Sequence, residues 1–149
     1  MGSFSLRPAV RANGPAIATL FRQTFRAALP FIPTLHTPEE DAAYFGGALM
    51  DACTVWVAEA DGIAGFIAWR AGWVDQLYVA PEHAGRGIGS ALLRRAMDDQ
   101  PVLELWAFQR NAPALAFYAA KGFRLVRTTD GSGNEEKEPD VLLRWERGG

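Results

Sequence analysis

Glycines at positions 85, 87 and 89, with Arg86 between the first two, constrain this chain more than any other feature. They follow a β-like stretch, Val74 to Val79, and lead into an amphipathic run that begins Ile88-Gly89-Ser90-Ala91-Leu92-Leu93. Alternate glycines let a backbone approach a ligand closely. A helix starting there directs its first free N–H groups, and the positive end of its dipole, at whatever lies in front. Strand, glycine turn and helix together suit an anion, most often a phosphate or pyrophosphate. The same run also reads as a tight strand–turn–helix connection with no ligand. Two nucleotide readings fail on residues. A dinucleotide fingerprint needs a further glycine where Leu92 stands and an acidic residue ~20 positions on, and a P-loop needs Lys-Ser or Lys-Thr where Ser90-Ala91 follow the last glycine.

A second block lies downstream: Asn111-Ala112-Pro113-Ala114-Leu115-Ala116-Phe117-Tyr118-Ala119-Ala120-Lys121-Gly122-Phe123. The first block, from Val74 through Leu93, resembles the acyl-CoA-binding motif of the GNAT superfamily of N-acetyltransferases. The second resembles that family's Asn-x-x-Ala-x-x-Phe-Tyr-x-x-x-Gly-Phe signature. The likeness is sharp over residues 74–123 and looser elsewhere. One position departs: Ala84 stands where the family usually has Gln or Arg, so a side-chain contact near the phosphates is missing.

Bulk properties fit a protein of that kind. A chain of 149 residues with 49% apolar and 21% charged residues suits one globular domain over 1–149. A net charge of −2 gives no electrostatic case for a nucleic-acid partner. The single Cys53 excludes an internal disulfide framework, and two histidines give no metal-ligand spacing, so no metal is expected. Cys53 reads as a buried, inert thiol. No apolar stretch nears the ~18 residues of a membrane span and no signal peptide is seen, so a cytoplasmic protein without membrane contact is expected.

Along the chain, residues 4–10 read as a strand. Asn13-Gly14-Pro15 opens a helix with Ile17, Leu20, Phe21, Phe25 and Leu29 on one face. Thr37-Pro38-Glu39-Glu40 carries a capping box that starts a second helix to about Met50. Strands over 54–60 and 63–71 flank Asp61-Gly62, a hairpin turn. Strand 74–79, helix 87–99, strand 102–108 and helix 113–121 follow, the last ended by Gly122. Strands over 124–129 and 141–145 enclose a polar loop. This order agrees with the α+β (mixed α/β) GNAT fold: a central, mostly antiparallel twisted sheet of about seven strands flanked by about four helices.

The resemblance implies an acetyl-CoA-dependent N-acetyltransferase acting on a primary amine of a small molecule or peptide, by direct attack in a ternary complex. A non-catalytic acyl-CoA-binding sensor is the alternative, and monomer and homodimer both stay open. Backbone groups of Leu77, Tyr78 and Val79 would pair with the pantetheine arm as with another strand. Gly85, Arg86, Gly87, Ile88, Gly89 and Ser90 would cradle the pyrophosphate. Tyr118 would protonate the leaving thiolate, as a phenol of pKa ~10 can; from its sequence neighbours alone it packs with Leu115 and Phe117. Asn111 reads as a helix N-cap and, in the family, as a contact to the pantetheine arm. Lys121 reads as a solvated charge near a helix end or as a phosphate contact. For the base that takes the amine proton, Asp75 comes first, because period-2 alternation puts it on the face of Leu77. Glu104 comes second, and either also reads as a structural carboxylate.

The acceptor would be shaped by the loop Pro30 to His36, the helix bearing Tyr44 and Phe45, and the acidic loop Asn134 to Asp140. On composition that last loop reads as a solvated hairpin turn, or as a steering field for a cationic amine. Trp69, Trp73 and Trp106 lie on strands beside the expected cleft.

Overall fold

The alternation and turn signals resolve into one seven-stranded sheet in the order β1-β2-β3-β4-β5-β7-β6. The computed structural model of the protein describes residues 3–148. The strands are β1 (Ser5–Pro8), β2 (Thr54–Glu59), β3 (Ile63–Arg70), β4 (Trp73–Val79), β5 (Val102–Phe108), β6 (Arg124–Thr128) and β7 (Asp140–Glu146). All neighbours are antiparallel except β4 and β5. The β2–β3 connection turns on Asp61 and Gly62, both with positive φ, as a two-residue turn matched to strand twist requires.

Helices cover both faces. On one side lie α1 (Gly14–Ala28) and a rod made of α2 (Pro38–Ala43), a π-helical turn (Tyr44–Ala48) and α3 (Leu49–Ala52). The capping box forms: the Thr37 N–H donates to Glu40 Oε1 at 2.8 Å and the Glu40 N–H to Thr37 Oγ1 at 3.1 Å. The helix expected to stop near Met50 continues to Ala52 through the wide turn, where Gly46 lets the rod meet α1. A Cβ on Gly14 would stand 2.6 Å from the Gly46 Cα, so only glycine permits this crossing. Ile17, Leu20, Phe45 and Leu49 pack there against Val57, Phe66 and Ala68 of the sheet.

On the other face, α4 (Ile88–Asp99) and α5 (Ala112–Ala120) cover the second core cluster. Ile88, Leu92, Leu93 and Ala96 of α4 meet Ile67, Trp69, Leu103, Leu105, Val141 and Leu143 of the sheet. Leu92 is fully buried, and truncating such a side chain costs about 2–5 kcal/mol. Gly122, at positive φ, ends α5 as expected; the Phe123 N–H returns to the Tyr118 carbonyl at 3.0 Å. No described helix is long and apolar enough to cross a membrane.

Two features position the site. First, β4 and β5 pair in register only at Trp73 and Glu104, where the Glu104 N–H donates to the Gly72 carbonyl at 2.8 Å. Beyond that point the two strands separate. Secondly, β4 carries a bulge: Ala68 faces Gln76 and Trp69 faces Val74, leaving Asp75 without a partner on β3.

Candidate active site

The opening between β4 and β5 has free backbone on its β4 edge. The Ala80 N–H donates to Ala64 of β3 at 2.8 Å. Strand alternation then turns Tyr78 toward β3 as well, and directs the backbone groups of Leu77 and Val79 into the opening. At the mouth, Gly85 and Gly87 adopt positive φ of +79° and +82°, and a Cβ on either would meet nothing within 4 Å. The N–H groups of Gly85 through Ser90 donate to no other described residue; the first internal bond of α4 runs from Ala91 to Gly87 at 3.0 Å. Gly89 sits between the sheet and α5, with a Cβ position 3.5 Å from the Phe117 ring and 3.6 Å from Val79. The amide cradle, the open strand edge and α5 therefore meet at one place.

Those residues fit the pyrophosphate and pantetheine of a coenzyme A. The cradle is built from outward-facing amides at the start of a helix, with room where side chains would block an approach. Arg86 adds positive charge, with its guanidinium 3.4 Å from His83 Nδ1. The Ala84 N–H is used within the turn, donating to Pro81 at 3.2 Å, and its methyl offers no donor. The free amides and the Arg86 guanidinium are thus the groups here that could meet an anion.

Tyr118, on α5, is 8% exposed, with its ring edge-on to Phe117 and Phe123. Burial, and next the nearby Tyr78 phenol, hold its hydroxyl pKa well above that of a free tyrosine. No buried side-chain oxygen or nitrogen among the described residues lacks a partner, so the Tyr118 hydroxyl, which has none in the protein, reaches solvent. Tyr78 projects from the opposite face of β4, against Phe21 and Phe66. Asn111 caps α5, its Oδ1 accepting from the Ala114 N–H at 3.4 Å. Lys121 rests over the Phe117 ring at 5.6 Å.

The two carboxylates differ. The bulge breaks the alternation on which Asp75 was expected to share the Leu77 face: Asp75 points toward the helical rod instead. It accepts from Arg70 Nε at 2.9 and 3.1 Å and from Cys53 Sγ at 3.3 Å. Burial, and then this carboxylate, push the Cys53 thiol up to about 12. Glu104 is held more loosely, 3.5 Å from Arg144 Nη1, on the face of β5 that carries Trp106 and Phe108.

That face of β5, β6 and β7 bears a cavity of about 630 Å³ lined by Trp106, Phe108, Arg127, Asn134 and Glu136 among others. The loop over 129–140 forms one of its walls and is not the solvated turn its composition suggests. Glu138 and Asp140 are buried. Arg110 grips Glu138 with two 2.7 Å bonds, and the Thr129 hydroxyl donates to Asp140. Asn134 Nδ2 ties the Glu138 carbonyl at 2.7 Å. Trp106 is 43% exposed on the cavity wall, while Trp69 is core and donates to Asp99 at 2.7 Å. His36, from the Pro30–His36 loop, reaches Glu135 at 3.0 Å.

Comparison with known proteins agrees with this geometry. Residues 51–125 match the family described as Acetyltransferase (GNAT) domain. The peptidyl-lysine N-acetyltransferase YiaC of Escherichia coli (strain K12) is 33% identical over 147 residues, covering 94% of this chain and 95% of the relative. The solution structure of apo-form YjaB from Escherichia coli superposes with a TM-score of 0.78 at 20% identity, over 96% of this chain and 97% of that one. The PaiA N-acetyltransferase of Thermoplasma acidophilum, solved in complex with coenzyme A, gives 0.75 at 18% identity, over 97% and 99% of the two chains. The chain belongs to the GNAT superfamily of N-acetyltransferases, and its class of chemistry is acyl transfer.

Proposed function

We propose that this protein transfers the acetyl group of acetyl-CoA to a primary amine, on a peptide lysine or a small molecule, by direct attack in a ternary complex. The observation that carries the reading is the opening between β4 and β5. It has unpaired Leu77 and Val79 backbone on one edge, the Gly85–Ser90 amides at its mouth and α5, the helix that carries Tyr118, packed beside that mouth through Phe117. The peptidyl-lysine activity in the name of the 33% identical relative supports the amine acceptor.

Acetyl-CoA supplies the activated acyl thioester and leaves as the free thiol. The protein's residues then have separate tasks. The Gly85–Ser90 amides and Arg86 hold the pyrophosphate, and Asn111 and Lys121 flank the path. Leu77 and Val79 hold the extended arm, and a free N–H on this edge polarises the acyl carbonyl, a contribution worth about 3 kcal/mol. Tyr118 keeps its proton until a thiolate can accept it, because burial raises its pKa. The amine's proton passes to a carboxylate beside the opening, Asp75 first and Glu104 second, directly or through water.

Thiol release from acetyl-CoA, followed over a panel of amines with amide formation read by mass, tests the proposal. Amine-dependent release, one thiol per amide, is expected. Tight acetyl-CoA binding with no release on any amine would make the protein an acyl-CoA-binding module instead.

A further inference from the structure

The carboxylates of the loop between β6 and β7 are nearly all engaged, within the loop or by residues packed beside it. Asp130 accepts from the Ser132 N–H at 3.0 Å, and Glu135 meets His36. Glu138 pairs with Arg110, while Asp140 takes bonds from Thr129 and Asn134. Glu136 alone in this loop has no ion-pair or hydrogen-bond partner among the described residues, although it is only partly exposed. Its position is particular as well. Glu136 lines the 630 Å³ cavity over β5–β7 and also a smaller one, about 60 Å³, between Phe21 and Phe25 of α1 and the Pro30–His36 loop. Burial, and next the Glu136 carboxylate, hold the Tyr78 phenol well above its ordinary pKa. Tyr78 in turn is felt by Tyr118 from the other face. Arg26 lines the smaller cavity too but forms no ion pair with Glu136.

We infer that Glu136 receives the acceptor as its ammonium and selects alkylammonium substrates, a reading that rests on the proposed acetyl transfer. The ammonium gives its proton to the Asp75 or Glu104 base before the free amine attacks the thioester. An unpaired carboxylate on a loop braced by its other members is preorganised for a cation, because little has to move or be given up when one arrives. Trp106 and Phe108 supply an apolar wall for the hydrocarbon stem behind that cation. Arg127, stacked 5.3 Å over the Trp106 ring, places a positive charge in the same cavity. A second cation on the acceptor is thereby disfavoured there, and a carbonyl or carboxylate is favoured.

The test uses a lysine blocked at its α-amine and carboxyl, in kinetics with acetyl-CoA and in calorimetry with the protein saturated with coenzyme A. Glu136→Gln should raise the amine KM and the calorimetric Kd about tenfold, as loss of a charge-assisted contact does, with the acetyl-CoA KM unchanged. Glu136→Asp should recover part of the loss. Asp130→Asn, which removes the same charge from the same loop outside the cavities, should leave the amine KM as it was. Unchanged amine KM and Kd in Glu136→Gln would overturn the inference, as would a fall in kcat with both constants intact. Absence of turnover in the parent protein on every amine would overturn the functional reading itself, and this inference with it.

Discussion

Trp73 and Glu104 are the residues at which β4 and β5 are in register, and from there to Val79 and Phe108 the sheet is open. An opening inside a sheet leaves backbone donors and acceptors without partners, which is costly unless water or an extended ligand meets them. Here the same opening is flanked by an amide cradle, and the neighbouring α5 carries the buried Tyr118 ring. Each can be challenged separately.

Tyr118→Phe removes a hydroxyl that has no partner in the protein, so folding should be unaffected. Turnover should fall by about 10², with acetyl-CoA affinity nearly unchanged. Because burial raises the phenol pKa, Tyr118 stays protonated through the range where a free tyrosine begins to ionise. The parent's kcat should therefore show no alkaline limb below pH ~10. A pH–rate profile checks this; an unaltered turnover in the variant removes Tyr118 from the chemistry.

Gly87→Ala places a methyl in the left-handed region and in the space before the cradle. Acetyl-CoA affinity by calorimetry should fall at least about tenfold, from roughly 1 kcal/mol of backbone strain plus steric exclusion of the phosphates. The melting temperature should move by only a few degrees, since no protein atom is displaced.

Gly131→Ala acts on the other face. A Cβ there would lie 2.4 Å from the Glu138 carbonyl carbon, at a φ of +86°. The loop over 129–140 cannot keep its fold against Glu138, so amine KM should rise while acetyl-CoA affinity persists. Equal loss of both would mean that the two faces are not independent.

Asp75 and Cys53 form a testable pair. A thiol pushed up to about 12 is thiolate in only ~1 part in 10⁴ at pH 8, so alkylation of Cys53 should run about 10³-fold slower than that of a free cysteine. Asp75→Asn should accelerate it, because the carboxylate no longer accepts the S–H. The same variant reports on the base: loss of the ascending limb of the pH–rate profile assigns the role to Asp75. An unaltered limb passes it to Glu104.

Local signals were legible wherever a short stretch determines its own geometry. Thr37 with Glu40, Asp61-Gly62, Asn111 and Gly122 each form the cap or turn that their chemistry dictates. The turn at Gly85 and Gly87 was legible because the left-handed backbone it takes is one that glycine adopts without strain. Non-local features were not legible. The bulge at Asp75 depends on how β3 and β4 register, and it turned aside a side chain that simple alternation put beside Leu77. The closure of the 129–140 loop depends on Arg110, distant in sequence, neutralising Glu138, so its many charges read as solvation. The placement of β7 between β5 and β6, and the π-helical turn at Tyr44–Ala48, are likewise outcomes of packing.

In the proposed reaction the cradle side of the sheet holds the cofactor, the Trp106 side receives the amine, and the two meet through the β4–β5 opening with no acylated protein between them. Initial rates measured with acetyl-CoA and a blocked lysine varied together test it most directly. Double-reciprocal lines should converge, and the protein's mass should be unchanged after incubation with acetyl-CoA alone. Parallel lines accompanied by an acetylated protein would contradict it.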